Sequence, residues 1–226
     1  MRITPLENAF GSSDITISVS DGFLTDEHIF NLTVTSVNDA PVLSQIENLS
    51  TDEDTSTTTF FQLTDVEGGN FELHSQSEHS ERITVDNITF SGSNVENYSV
   101  VVTALTSESI NIHLTPVHNA NENSLITITV IDNGVEVLSS FSLYITPVND
   151  IPEISSISDI ITNEDQPLSV DITLTDIDKE ESLTISAISS LSSVLLNSDI
   201  CLNNDCTKNW ALNMDGSSEK IITLKY

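Results

Sequence analysis

The sequence predicts an all-β protein built of tandem sandwich repeats. Three observations predict it: self-similarity at one constant offset, apolar residues alternating with polar ones in short runs, and a composition rich in β-branched and hydroxyl side chains. The offset is 111 residues: Thr4-Pro5 recurs as Thr115-Pro116, and Ile15-Thr16-Ile17-Ser18-Val19 as Ile126-Thr127-Ile128-Thr129-Val130. Phe30-Asn31-Leu32 returns as Phe141-Ser142-Leu143, and Val37-Asn38-Asp39-Ala40-Pro41 as Val148-Asn149-Asp150-Ile151-Pro152. Thr51-Asp52-Glu53-Asp54 matches Thr162-Asn163-Glu164-Asp165, and Leu63-Thr64-Asp65-Val66-Glu67 matches Leu174-Thr175-Asp176-Ile177-Asp178. Chance similarity does not hold one offset across six blocks.

The elements follow in order. Ile15 to Val19 and Phe30 to Val34 alternate apolar and polar residues, as do Phe61 with Leu63 and Val100 with Val102. The pattern continues through Ile110, Ile112 and Leu114, then Ile126, Ile128 and Val130, then Phe141, Leu143 and Ile145. Period two means half-buried antiparallel strands. Asp132-Asn133-Gly134 reads as a hairpin turn, because Asn-Gly accepts the positive φ that a tight turn requires. About seven strands in each unit of 111 residues, with no helical pattern, give a β-sandwich.

The Asn-Asp-x-Pro tetrapeptides are linkers, since Pro fixes its own φ and holds the preceding residue extended. They divide the chain into 1–37, the last part of a first unit; 42–148, a complete unit; and 153–226, an incomplete third unit. The linkers are 38–41 and 149–152. The chain therefore reads as a fragment of a longer array, cut out of phase. Tyr226 aligns with Thr115, so the third unit is expected to lack the strands that 15–19 and 30–34 supply to the first. Such a fragment is expected to fray at its ends or to assemble head to tail.

Composition narrows the function. The 35 acidic residues against 6 Lys and Arg give a net charge of -29. So acidic a chain has few cations to replace counterions on nucleic acid or to dock on anionic lipid. No apolar run is long enough to span a bilayer. With 38% hydrophobic residues the chain is too apolar for a disordered acidic tail. The opening residues lack a signal-peptide core, so an export signal is expected outside this chain.

The ordered motifs resemble the cadherin-like repeats of large bacterial surface proteins and adhesins. The order is Asn38-Asp39-Ala40-Pro41, Asp52-Glu53-Asp54, Asp65-Val66-Glu67-Gly68 and Asp132-Asn133-Gly134, continuing as Asn149-Asp150-Ile151-Pro152, Asn163-Glu164-Asp165 and Asp176-Ile177-Asp178. The resemblance implies a cadherin- or immunoglobulin-like sandwich with Ca2+ at the repeat junctions. Calcium takes six to eight hard oxygen ligands, which carboxylates and carbonyls supply. One implied site gathers Asn38, Asp39, Asp65, Glu67 and Asp132. The other sets Glu53 opposite Asn149, Asp150, Asp176 and Asp178. The family's Asp-x-Glu motif has no counterpart here, and the linker lacks its leading acid, which implies fewer ions per junction. A metal-free alternative stays open: these acids serve as turn formers and solvated surface, as in immunoglobulin-like repeats.

The remaining chemistry is sparse. His28, His74, His79, His113 and His118 fall in no metal-ligating spacing, and His113 and His118 read as exposed loop residues. No nucleophile elbow or phosphate-binding loop occurs, so no enzymatic activity is expected. Trp210 reads as core or edge packing rather than a sugar-binding platform. Cys201 and Cys206 flank a turn-forming Asn203-Asn204-Asp205 and are expected to close a disulfide in an oxidising compartment. The expected function is a calcium-rigidified stalk segment of an extracellular or cell-surface adhesin. Its partners would be neighbouring repeats of the same chain, with cell-surface glycans or like repeats as further candidates. The alternative is a module that binds carbohydrate or its own kind without calcium.

Overall fold

A computed structural model describes the chain except for residues 179–181, 208, 215–217 and 226. It divides into two units, Met1–Pro147 and Val148–Tyr226.

The first unit opens with a hairpin, β1 (Gly11–Ser20) and β2 (Thr25–Val34), which pairs in unbroken register from Gly11↔Val34 to Ser20↔Thr25. Its turn is closed by Asp21, whose Oδ1 accepts the amides of Phe23 and Leu24, both at 2.9 Å. Those two donors hold the Asp21 carboxyl below its ordinary value, and Gly22 supplies a φ of +94°.

The sandwich proper follows. Its strands are β3 (Val42–Leu43), β4 (Leu49–Asp52), β5 (Thr57–Thr64), β6 (Gly68–Ser77), β7 (Ile88–Ser91), β8 (Val95–Glu96), β9 (Ser99–Thr103), β10 (Ser107–Leu114), β11 (Glu122–Asp132) and β12 (Val135–Thr146). One sheet runs β3-β5-β10-β7 and the other β4-β12-β11-β6-β9-β8. Two interior faces are thus assembled from strands distant in sequence, as in immunoglobulin-like sandwiches. The strands outnumber the seven that periodicity suggests. β3, β4 and β8 are short edge strands with too few residues to show alternation.

The alternating residues make the core. Phe61, Leu63, Phe71, Ile110, Ile112, Leu114, Ile126, Ile128, Val130 and Leu143 are wholly buried, and Phe141, Ile145, Val100 and Val102 nearly so. Burying each such side chain contributes about 2 kcal/mol against leaving it in water. At the tip of β11–β12, Asn133 (φ +46°) and Gly134 (φ +86°) form the two-residue turn. Successive positive φ values match the right-handed twist of the strands they join.

The second unit holds β13 (Glu153–Ile154), β14 (Ser169–Thr175), β15 (Ser182–Ser186), β16 (Cys201–Leu202), β17 (Asn209–Asn213) and β18 (Glu219–Lys225). They form a β13-β14-β18-β16 sheet and a β15-β17 pair over a smaller core of Ile172, Leu174, Leu183, Ile200, Leu202, Trp210, Met214 and Ile222. Trp210 is 4% exposed, and its indole donates to the Asp205 carbonyl at 2.8 Å. Cys201 and Cys206 are joined by a disulfide, with Cα atoms 4.0 Å apart across the Asn203-Asn204 turn. Among the described residues no helix is long and apolar enough to cross a membrane.

Candidate functional site

Three segments of the first unit meet where the linker enters the sandwich: residues 38–41, the loop between β5 and β6, and the β11–β12 tip. The Asn38 carboxamide donates to Asp132 Oδ2 at 2.7 Å. Asn133 donates to Asn38 Oδ1 at 2.7 Å and to Asp132 Oδ1 at 3.2 Å. The Asp39 amide donates to Glu67 Oε2 at 3.1 Å. Asn38, Asp39, Glu67 and Asp132 are therefore linked pairwise, and Asp65 anchors the loop that carries Glu67.

Asp65 and Asp132 are 5% and 3% exposed. The loop is a closed turn rather than an extended one, because Asp65 Oδ1 accepts the amides of Glu67 at 2.9 Å and Gly68 at 2.8 Å. Asp65 Oδ2 is buried and has no hydrogen-bond partner. Burial pushes the Asp65 carboxyl above its ordinary value. The Gly68 and Glu67 amides oppose that rise, and the nearby Asp132 and Glu67 charges add to it. The first unit has only two basic residues, Arg2 and Arg82, and Arg82 pairs with Glu122. Among the described residues no ion pair reaches Asp65 or Asp132.

The second unit repeats this arrangement at its own linker. The Asp150 amide donates to Asp178 Oδ2 at 2.6 Å, and the Asp178 amide to Asp176 Oδ1 at 2.9 Å. Asn149 donates to the Asp150 carbonyl at 2.9 Å, as Asn38 does to that of Asp39 at 3.0 Å. Asp176 is buried, and Asp150 Oδ2 is buried without a partner. Asn149, Asp150, Asp176 and Asp178 are thus brought together within that unit.

Glu53 lies in the first unit, 5% exposed, with its amide on the Thr146 carbonyl at 2.9 Å. Beside it, the Thr146 hydroxyl donates to Asp52, and Asp54 Oδ1 accepts the Asn119 amide at 2.9 Å and His118 Nδ1 at 2.8 Å. The Asn119 and His118 contacts hold the Asp54 carboxyl below its ordinary value.

Two residues differ from the sequence reading. His113 is no loop residue: it sits half-buried in β10, with Nδ1 3.0 Å from the Thr58 hydroxyl and Nε2 2.7 Å from that of Ser91. Its imidazole occupies a polar position of the alternation, which a search for metal spacing does not weigh. Asn133 does more than form the turn: its amide completes the Asn38–Asp132 network. The signal lay in its adjacency to Asp132 in the same turn.

Chemically the first-unit cluster offers hard oxygens from Asp65, Glu67, Asp132 and Asn38. As arranged, no group of three or more His, Cys, Asp or Glu among the described residues is spaced to hold a metal ion. Amides occupy both oxygens of Asp132, Asp65 Oδ1 and Glu67 Oε2, while Asp65 Oδ2 is left without a donor.

No family model and no curated protein matches the chain. Among solved structures it is similar to a family 123 glycoside hydrolase from Clostridium perfringens, at 12% identity and a TM-score of 0.41, over 48% of this chain and 27% of that one. The chain thus spans about a quarter of the hydrolase's length. It is similar to the titin domains Z1Z2 solved with telethonin, at 10% identity and a TM-score of 0.36, over 84% of this chain and 82% of that one. It is also similar to a PapD-like domain of human CEP192, at 9% identity and a TM-score of 0.34, over 57% of this chain and 96% of that one. With every TM-score below 0.5, these likenesses carry no argument about function. The chain is built of immunoglobulin-like β-sandwich structure, a fold that fits a structural or binding module.

Proposed function

We propose that the chain is a non-enzymatic stalk segment of an extracellular surface protein, similar to cadherin-like repeats, whose junctions are stiffened by calcium. The observation that carries this reading is Asp65 Oδ2, a buried carboxylate oxygen with no hydrogen-bond donor, close to the charges of Asp132 and Glu67. A buried carboxylate with one oxygen left unsatisfied is costly, and like charges nearby add to the cost. Neighbouring basic side chains are not available to offset that cost at neutral pH, and an external cation would do so. Hard oxygen donors suit calcium. Asp65, Glu67, Asp132 and Asn38 would hold it in the first unit, and Asp150, Asp176 and Asp178 would hold one in the second. Bound calcium would supply positive charge that ties a flexible linker to the sandwich it enters. The neighbouring repeats of the same long chain would be the main partners.

A second reading has its own support. The Asn38–Asp132–Asn133 network already occupies the carboxylates with amides, as a metal-free immunoglobulin-like module recognising glycans or its own kind would require. Calorimetric titration with calcium, paired with small-angle scattering in calcium and in chelator, separates the two. Calcium uptake and a longer, narrower particle support the stalk. No uptake and identical profiles leave the metal-free module. Asp176→Asn with Asp178→Asn should weaken uptake in the second unit while sparing the first.

A further inference from the structure

A concavity of about 780 Å³ opens at the β6-β9-β8 edge of the first unit, a size in the range of small-ligand sites. Asn70 of β6 pairs with Val101 of β9, and Glu96 of β8 with Ser99 of β9. These four side chains share the outer face of the sheet, because Val100 and Val102 between them turn into the core. Asn94, in the loop before β8, and Asn97, in the turn after it, complete the lining. Val101 is 57% exposed and stands between two of the asparagines: it pairs with Asn70, and its amide donates to the Asn94 carbonyl at 3.2 Å.

The lining has little charge and much free hydrogen-bonding capacity. Elsewhere in the unit asparagine side chains are committed: Asn31 donates to Asp14, Asn48 accepts the Ser142 amide, and Asn38 and Asn133 serve the linker network. Among the described residues, the side chains of Asn70, Asn94, Asn97 and Ser99 bond to no other. The backbone that carries them is fixed in advance. Asn97 (φ +49°) and Tyr98 (φ +63°) form a two-residue turn suited to twisted strands. The Tyr98 carbonyl accepts the Leu73 amide at 2.7 Å, and its ring packs edge-on against Phe90 with centroids 6.0 Å apart. Gly92 lets the preceding loop lie against β10, since a Cβ there would sit 2.8 Å from the Ser109 carbonyl oxygen. A site held in place before binding loses less entropy when a ligand arrives.

We propose that this concavity binds a neutral oligosaccharide, with Asn70 and Asn94 bonding ring hydroxyls and Val101 meeting the ring carbons between them. A carboxamide donates and accepts in one plane, which matches neighbouring hydroxyls that each do both. The exposed valine supplies the apolar surface that a sugar ring's C–H face covers. Glu96, the one charged residue of the lining, and the net charge of -29 repel acidic sugars. The proposal gives a place to the glycan recognition of the second reading above and rests on that part of it. It does not depend on calcium, because no residue of the linker cluster lines the concavity.

The test screens the full chain, in chelator, against immobilised neutral hexose and N-acetylhexosamine oligosaccharides, with sialylated and uronate oligosaccharides alongside. Neutral members should bind and acidic ones should not. An NMR titration with the tightest neutral binder should shift the amides of Asn70 and of 93–101 and leave those of 38–41 unmoved. Asn70→Ala with Asn94→Ala, both at exposed positions, should weaken binding about tenfold or more, as the loss of two hydrogen bonds predicts, and leave the melting curve unchanged. No binding by any neutral member would overturn both the proposal and glycan recognition as a whole. Neutral binding whose shifts fall elsewhere on the chain, or a preference for acidic sugars, would overturn this site and leave glycan recognition standing.

Discussion

Asn38 donates its carboxamide to Oδ2 of the buried Asp132 at 2.7 Å, joining the linker to a hairpin tip 94 residues away. The contact fixes where the chain enters the sandwich, and it brings the linker to two buried carboxylates, Asp65 and Asp132. Burial and the neighbouring Asp132 and Glu67 charges raise the Asp65 carboxyl, so the stability of the cluster should respond to anything that removes or balances charge.

Asp65→Asn is the first case. The amide keeps an oxygen for the Glu67 and Gly68 amides and removes the buried charge. The variant should melt higher than the wild type in chelator at neutral pH, yet lose any stabilisation by calcium. A lower melting point in chelator would show that the Asp65 charge is balanced by something other than a cation.

The pH dependence has a defined sign. Burial raises the Asp65 carboxyl above its reference value of 3.8, so its protonated form favours the folded state. That contribution is present below 3.8 and is lost as pH rises through the folded value. Asp54 is lowered, so its contribution is present above 3.8 and is lost as pH falls through its own folded value. Between neutrality and 3.8 the Asp65 effect therefore acts without opposition from Asp54. Wild-type stability should rise relative to Asp65→Asn as pH is lowered across this window, measured by denaturant melts.

Gly68 tests the loop that carries the site. Its φ is +67°, and a Cβ there would lie 2.4 Å from the Ala104 nitrogen. Gly68→Ala should cost about 3 kcal/mol or more, since backbone cannot yield as a side-chain end can. Gly134, at φ +86°, has open space around it, and its alanine variant should cost only the about 1–2 kcal/mol of a left-handed residue.

Paired substitutions compare the two hairpins. Ile128 is wholly buried and Ile17 is 45% exposed at the corresponding position. Ile128→Ala should destabilise the first unit by about 3 kcal/mol. In dilute solution Ile17→Ala should change stability by less than about 0.5 kcal/mol. Equal effects would place the β1–β2 stripe in a core within the single chain.

Reduction of Cys201–Cys206 should act on the second unit alone. The short loop predicts a loss of about 2 kcal/mol by chain entropy. Trp210, the single tryptophan, bonds to Asp205 inside that loop, so its fluorescence should shift on reduction. A melt of the second unit that reductant leaves unchanged would contradict this.

The sequence by itself determined the longer alternating strands of residues 1–147 and the apolar face each presents, because alternation is a local property of the side chains. Short edge strands such as β3, β4 and β8 carry no such signal. Ile126, Ile128 and Val130 could be assigned to a core before any partner strand was known. It also flagged Cys201 and Cys206 by the turn between them, whereas the grouping of Asn38, Asp39, Asp65, Glu67 and Asp132 came only as an implication of the resemblance to cadherin-like repeats. Tertiary structure decided what those groups do to one another. Whether Asp65 is a solvated turn former or a buried anion depends on the packing of strands distant in sequence. So does the use of Asn38 as a donor to Asp132, and of His113 as a bridge between Thr58 and Ser91. Hydrogen bonds across such sequence distances have no local signature, because they exist only once both sheets have closed over the core.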